Sequence, residues 1–176
     1  MSVLETVLPT GTWNVDPAHT TAEFAVKHMG LATIKGRAAG VEGSLVDGRL
    51  EGEVDAAGIT THEADRDAHL ASADFFDVER YPRLRLATTE VAQDGDELVA
   101  EAELTIKGVT RPVELRGRIT GDGIDPWGNR RVGIDLEGTI DRSEFGLKWN
   151  APLPGGGFLL DDDVKLSLSI SAVKAA

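Results

Sequence analysis

Histidine is the side chain whose ordinary pKa suits proton transfer near neutrality, and this sequence has four: His19, His28, His62 and His69. On an unbroken strand His19 and His28, nine residues apart, face opposite sides, so alternation does not bring them together. His62 and His69 are seven apart, about two helical turns, and Asp65 lies four residues before His69. The surrounding stretch has too little helical pattern to make that a metal site, and none is expected. His19 more simply fixes the turn begun by Asp16-Pro17. His28 is different, because it shares the inward parity of Phe24 and Val26 and could donate a hydrogen bond, or act as acid or base, inside an enclosed site. Trp149 is a second such donor. The recognisable catalytic frameworks are missing: no G-x-S-x-G elbow, no P-loop, no H-E-x-x-H and no Rossmann fingerprint. Gly155-Gly156-Gly157 precedes no helix and makes no phosphate cradle, and without cysteine there is neither a thiolate nor a disulfide framework. No catalytic residue is therefore assigned.

The elements that must position these groups read as strands. Val164, Leu166, Leu168 and Ile170 alternate with Lys165, Ser167 and Ser169, and Leu98, Ala100, Ala102, Leu104 and Ile106 alternate with Glu101 and Glu103. The same period of two runs through Ala22 to His28 and Arg83 to Thr88. It also covers segments of about 32–41, 50–60, 110–119 and 131–140, for about eight strands in all. Asp47-Gly48, Asp94-Gly95-Asp96, Lys107-Gly108 and Gly121-Asp122-Gly123 supply hairpin turns. The stretch from His62 to Pro82 lacks alternation and reads as a long connection carrying a short helix around Arg66 to Ser72. Asn150 to Leu160, dense in Pro and Gly, reads as a loop.

Eight one-sided antiparallel strands must stack or close, and closure removes the exposed edges. The predicted fold is thus all-β, an eight-stranded antiparallel barrel in a single domain spanning 1–176, with its core at about 12–173. Ala56, Gly58, Thr88, Ala100, Ala102, Gly117 and Gly138 fall on inward positions, and only nine residues are aromatic. Side chains this small predict unfilled space and an apolar tunnel. The competing expectation is that Leu70, Phe75 and Phe76 plug it. The tunnel lining predicted from parity is Phe24, Val26, Val54, Leu84, Leu86, Leu104, Leu115, Ile134, Leu136, Leu166 and Leu168, with Phe75, His28 and Trp149 added to complete the candidate site.

A formal net charge of −12 repels phosphate backbones and anionic lipid surfaces, which makes nucleic acid an unsuitable partner. No apolar run approaches the roughly 20 residues needed to cross a bilayer as a helix. Met1 to Trp13 carries no basic residue and no apolar run of signal-peptide length, so the expectation is a cytoplasmic protein. A homodimer joined through a sheet face accords with how soluble proteins commonly associate.

Several segments carry a family resemblance. Asp16-Pro17-Ala18-His19-Thr20 is followed by a strand ending in His28, then Arg66-Asp67-Ala68-His69-Leu70, Phe75-Phe76-Asp77-Val78 and Tyr81-Pro82. Leu104 to Val113 and Asp141-Arg142-Ser143-Glu144-Phe145-Gly146-Leu147 complete the set, and the whole, from about Trp13 to Ala172, resembles the YceI-like family. The resemblance implies a lipocalin-like barrel whose apolar channel binds a polyisoprenoid chain or a comparable amphiphile such as an isoprenoid quinone, without catalysis. No cofactor is implied beyond that bound ligand. Arg66, Lys107, Arg111 and Arg142 lie in the matching motifs and, with His28, are the candidates to meet a head group; Arg66 and Arg142 could instead pair with Asp67 and Asp141. Many family members are exported behind an N-terminal signal, whereas none is recognised before Trp13. The expected function is binding, transport or sequestration of a long-chain isoprenoid. The alternatives are an enzyme acting on an isoprenoid or quinone with His28 as acid or base, and a protein-interaction module with a filled barrel.

Overall fold

The computed structural model describes residues 7–176; the first six, part of the Met1–Trp13 stretch read above for a signal, lie outside the described residues. Nine strands form one antiparallel sheet: β1 (Thr12–Val15), β2 (Thr21–His28), β3 (Ala32–Val46), β4 (Arg49–Thr60), β5 (Arg83–Asp94), β6 (Glu97–Ile106), β7 (Val109–Ile124), β8 (Arg130–Asp141) and β9 (Leu160–Lys174). Neighbours run β3-β2-β9-β8-β7-β6-β5-β4, and the β3–β4 pairing closes the ring. The predicted eight-stranded barrel is therefore present, because β1 adds no ninth position. It pairs with β3 at Trp13↔Leu45 and with β9 at Trp13↔Lys174, while β2 pairs with the same two strands further along. One stave of the barrel is thus shared by two strands, and Asp16-Pro17-Ala18-His19-Thr20 is the jog between them. β1 was missed because four residues carry too little alternation to register.

Turn chemistry explains most of the connections. Asp47 and Gly48 both have positive φ, as do Lys107 and Gly108, which is the geometry a two-residue hairpin needs to match strand twist. Gly121-Asp122-Gly123 is not the turn expected of it: β7 continues through it to Ile124. The chain reverses instead at Asp125 to Asn129, where the Asp125 carboxylate accepts from the backbone N–H of Trp127 and of Asn129. The predicted short helix is α1 (Ala64–Ala71), capped by Glu63, whose carboxylate accepts from the N–H of Asp65 and Arg66. Asp161 to Asp163 belong to β9.

The two ends of the barrel differ. At the closed end, Trp13, Leu45, Leu98, Val132, Ile134, Leu136 and Ala172 are all buried to 5% exposure or less and pack into a solid layer. The open end carries the β2–β3 turn, α1 and the segment between β8 and β9. Several small inward residues serve close packing rather than leaving room. Ala100 and Ala102 are buried, and a Cβ on Gly117 or Gly138 would collide with the backbone of the neighbouring strand at Asp135 or Glu114.

The jog is pinned by one cation. Arg131 donates to Asp16 at 2.8 Å through Nη1 and to Asp125 at 2.8 Å through Nε, tying the jog to the β7–β8 turn. His19 meets Asp16 at 2.7 Å, in the structural role expected of it. The Arg131 guanidinium is the main reason that Asp16 and Asp125 are each held down at about 2. Because both folded values lie below the ordinary 3.8, the stability they contribute is complete above pH 4 or so and disappears as pH falls toward 2. Urea midpoints measured from pH 7 to pH 2 should show Arg131→Leu weaker than wild type, with a gap that narrows through that window; a gap independent of pH would show that the carboxylates are not the source.

Candidate functional site

Inside the barrel lies a cavity of about 540 Å³, within the roughly 300–1,000 Å³ usual for small-molecule sites. Its wall is made by alternation. Phe24 stands opposite Leu166 and Val26 opposite Val164 across β2–β9, while Val54 faces Leu84 across β4–β5 and Leu86 faces Leu104 across β5–β6. Phe24, Val26, Val54, Leu84, Leu86, Leu166 and Leu168 point inward yet remain only half-buried, whereas Ile134 and Leu136 in the solid layer are 0% and 2% exposed. Inward hydrocarbon that is still accessible is what an unfilled interior looks like.

Of the residues expected at the site, Phe24, Val26, His28, Val54, Phe75, Leu84, Leu86, Leu104, Leu115, Trp149, Leu166 and Leu168 line the cavity. Ile134 and Leu136 do not, because they belong to the packed layer; the void runs from His28, Glu63 and Leu160 at the open end to Thr20, Leu50 and Ile170 toward the closed end. The inward parity of Ile134 and Leu136 is right, but alternation carries no information on depth. Leu70, Phe75 and Phe76, the expected plug, line the space without filling it. The small residues that motivated a hollow interior, Ala56, Gly58, Thr88, Ala100, Ala102, Gly117 and Gly138, are absent from the wall. The expected lining left out Ile34, Ile106, Val164 and Ile170, which do carry an alternation signal, and also Leu147 and Leu159, which lie in irregular segments and carry none.

The open end is roofed by aromatic groups. His69 packs edge-on against Phe75 at 5.0 Å and Trp149 at 4.6 Å between ring centroids, and its Nε2 lies 2.9 Å from Asp74. α1 is held to β4 by Asp67, whose carboxylate accepts from Thr60, Thr61 and the Thr61 N–H; those hydrogen bonds keep its pKa low. Beside the roof, His28, Glu63, Asp65 and Arg66 form a polar rim to the cavity.

The basic candidates have separate fates. Arg142 is buried, and its guanidinium donates to the carbonyls of Asp161 at 2.9 Å, Leu147 at 2.7 Å and Trp149 at 2.9 Å, with Asp162 at 3.5 Å. Its acidic neighbour is thus Asp162, and desolvation lowers its pKa while the charges of Asp162 and Asp141 oppose the shift. Arg66 lines the rim, but its Nε and Nη2 are engaged by the Thr61 hydroxyl and carbonyl, not by Asp67. Lys107 donates to the Ala73 carbonyl and Arg111 to the Glu144 carbonyl, and neither reaches the cavity. Among the described residues no cluster of three or more His, Asp or Glu side chains is placed to hold a metal ion. Nor is any helix among them long and apolar enough to cross a membrane.

One antiparallel sheet rolled round an apolar hollow, with a short helix over one end, is a lipocalin-like architecture. The YceI-like domain profile matches residues 13–172, and the chain belongs to the YceI-like family, as the motif resemblance implied. Protein YceI of Escherichia coli O157:H7 is 35% identical over 137 residues, covering 74% of this chain and 72% of its own length. A crystal structure of the Campylobacter jejuni YceI protein superposes with a TM-score of 0.71 at 24% identity, over 85% of this chain and 90% of that one. A domain from Saccharophagus degradans, described as polyisoprenoid binding and implicated in plant cell wall breakdown, gives 0.68 at 13% identity, over 93% and 98%. At such identities these two structures establish the fold.

The contrast between solid layer and cavity wall can be measured. Leu136→Ala should cost about 2–5 kcal/mol, as for other fully packed leucines. Leu166→Ala should cost clearly less, since one side of Leu166 already lacks packing partners. Equal losses in chemical denaturation would mean that the cavity wall is packed as tightly as the core.

Proposed function

We propose that the cavity holds one long-chain isoprenoid, either a polyprenyl lipid or an isoprenoid quinone, and that the protein carries or sequesters it without altering it. The observation behind this reading is the half-buried inward hydrocarbon of the cavity wall. Burial in such a space gains about 0.8 kcal/mol per CH₂, so a long branched hydrocarbon can bind tightly with no polar contact along its length. The Saccharophagus domain of the same fold, described as polyisoprenoid binding, supports the choice of ligand class.

The polar groups at the open end favour an uncharged head group. Arg142 already serves three carbonyls, and Arg66 spends its Nε and Nη2 on Thr61, which leaves it without the full bidentate edge that a diphosphate uses best. A quinone or alcohol needs only one hydrogen bond, and His28, which lines the cavity, is the donor in this reading.

Organic extraction of freshly purified protein followed by mass spectrometry should yield a near-stoichiometric prenylated molecule. Leu86→Trp, which places an indole in the void, should fold normally and lose that molecule. If the extract contains no hydrophobe and a fluorescent prenyl analogue does not bind, the reading fails. His28→Ala separates carriage from catalysis. A carrier loses affinity modestly, whereas an enzyme using His28 as acid or base keeps binding and loses rate by about 10²- to 10⁴-fold.

A further inference from the structure

Large apolar side chains stand exposed at one side of the open end. Leu31 is 81% exposed, Phe158 64% and Met29 46%. The segments that carry them are neighbours, because the Met29 N–H donates to the Leu159 carbonyl at 2.7 Å and joins the β2–β3 turn to the loop before β9. That turn is closed by the Leu31 N–H on the His28 carbonyl at 3.0 Å. The patch adjoins the cavity through successive residues: His28 and Leu159 line the interior while Met29 and Phe158 face outward. The other side of the opening, at Glu63, Asp65 and Arg66, is polar.

We infer that Leu31, Met29 and Phe158 form a docking rim that inserts shallowly into the surface of a zwitterionic lipid bilayer, so that the cavity opens onto the membrane. The inference rests on the proposed carriage of a lipid, since such cargo resides in bilayers and a mouth bordered by apolar groups spares it passage through water. Exposed leucine, phenylalanine and methionine side chains gain by leaving water at the headgroup boundary, independent of charge. Charge argues against anionic lipid as the target: the chain carries −12, and Asp161, Asp162 and Asp163, close in sequence to Phe158, are exposed.

Flotation with phosphatidylcholine vesicles tests this. Wild-type protein should float with the vesicles, and Leu31→Ser/Phe158→Ser should lower partitioning about ten-fold or more, given the apolar area removed from the contact. Trp127→Ser, at the opposite end and 80% exposed in the parent, should float as wild type does. Binding of a soluble fluorescent prenyl analogue, measured without vesicles, should be unchanged in both variants. The inference is overturned if wild type fails to float, if the double variant floats equally well, or if only vesicles containing phosphatidylglycerol bind. It is also overturned if sedimentation shows a dimer that the double variant converts to monomer, because the rim would then be a protein contact. Loss of analogue binding by wild type would strike the carrier reading instead, and the two failures are separable.

Discussion

A closed antiparallel sheet satisfies its backbone hydrogen bonds by keeping a fixed circumference, and the side chains must then cope with whatever volume that ring encloses. In this protein different parts of the ring cope differently. At the closed end Trp13, Leu45, Ile134 and Leu136 fill the ring to near zero exposure. Along β2, β4, β5 and β9, Phe24, Val54, Leu86 and Leu166 are not enough to do so, and the shortfall is the cavity. Packing density, rather than polarity, therefore divides the molecule into a part that holds the fold and a part that can hold something else.

The roof over the cavity depends on polar groups that are themselves fully engaged. Arg142 gathers the carbonyls of Leu147, Trp149 and Asp161 around one buried guanidinium, which sets the path of the chain between β8 and β9. Asp67 does comparable work on the other side by receiving Thr60 and Thr61, which fixes α1 against β4. Both residues sit in motifs that suggest ligand chemistry at first sight. Their observed bonds go to the protein's own chain, which places Phe75, His69 and Trp149 over the void without a large apolar plug.

Period-two alternation made the barrel legible, because a half-buried strand writes its two faces directly into the sequence. The same parity picked most of the cavity wall, Phe24 and Leu166 among them. It could not tell Leu136 from Leu168, which face each other across β8–β9 but differ in whether anything lies beyond them. Small residues were read for the wrong reason: Gly117 and Gly138 admit a neighbouring backbone and do not enlarge the interior. The hollow was anticipated, but the residues thought to cause it are elsewhere. Arg142 and the aromatic roof come from irregular segments, where contacts depend on tertiary placement and leave no periodic trace.

The shared stave has a geometric consequence for how the molecule can be attached to anything. β1 lies beside the end of β9, with the Ala175 N–H on the Thr12 carbonyl at 2.9 Å, so both terminal strands emerge side by side at the sealed base. A tether fastened beyond the C-terminal end of β9 would hold the barrel upright with its aperture facing away from the point of attachment.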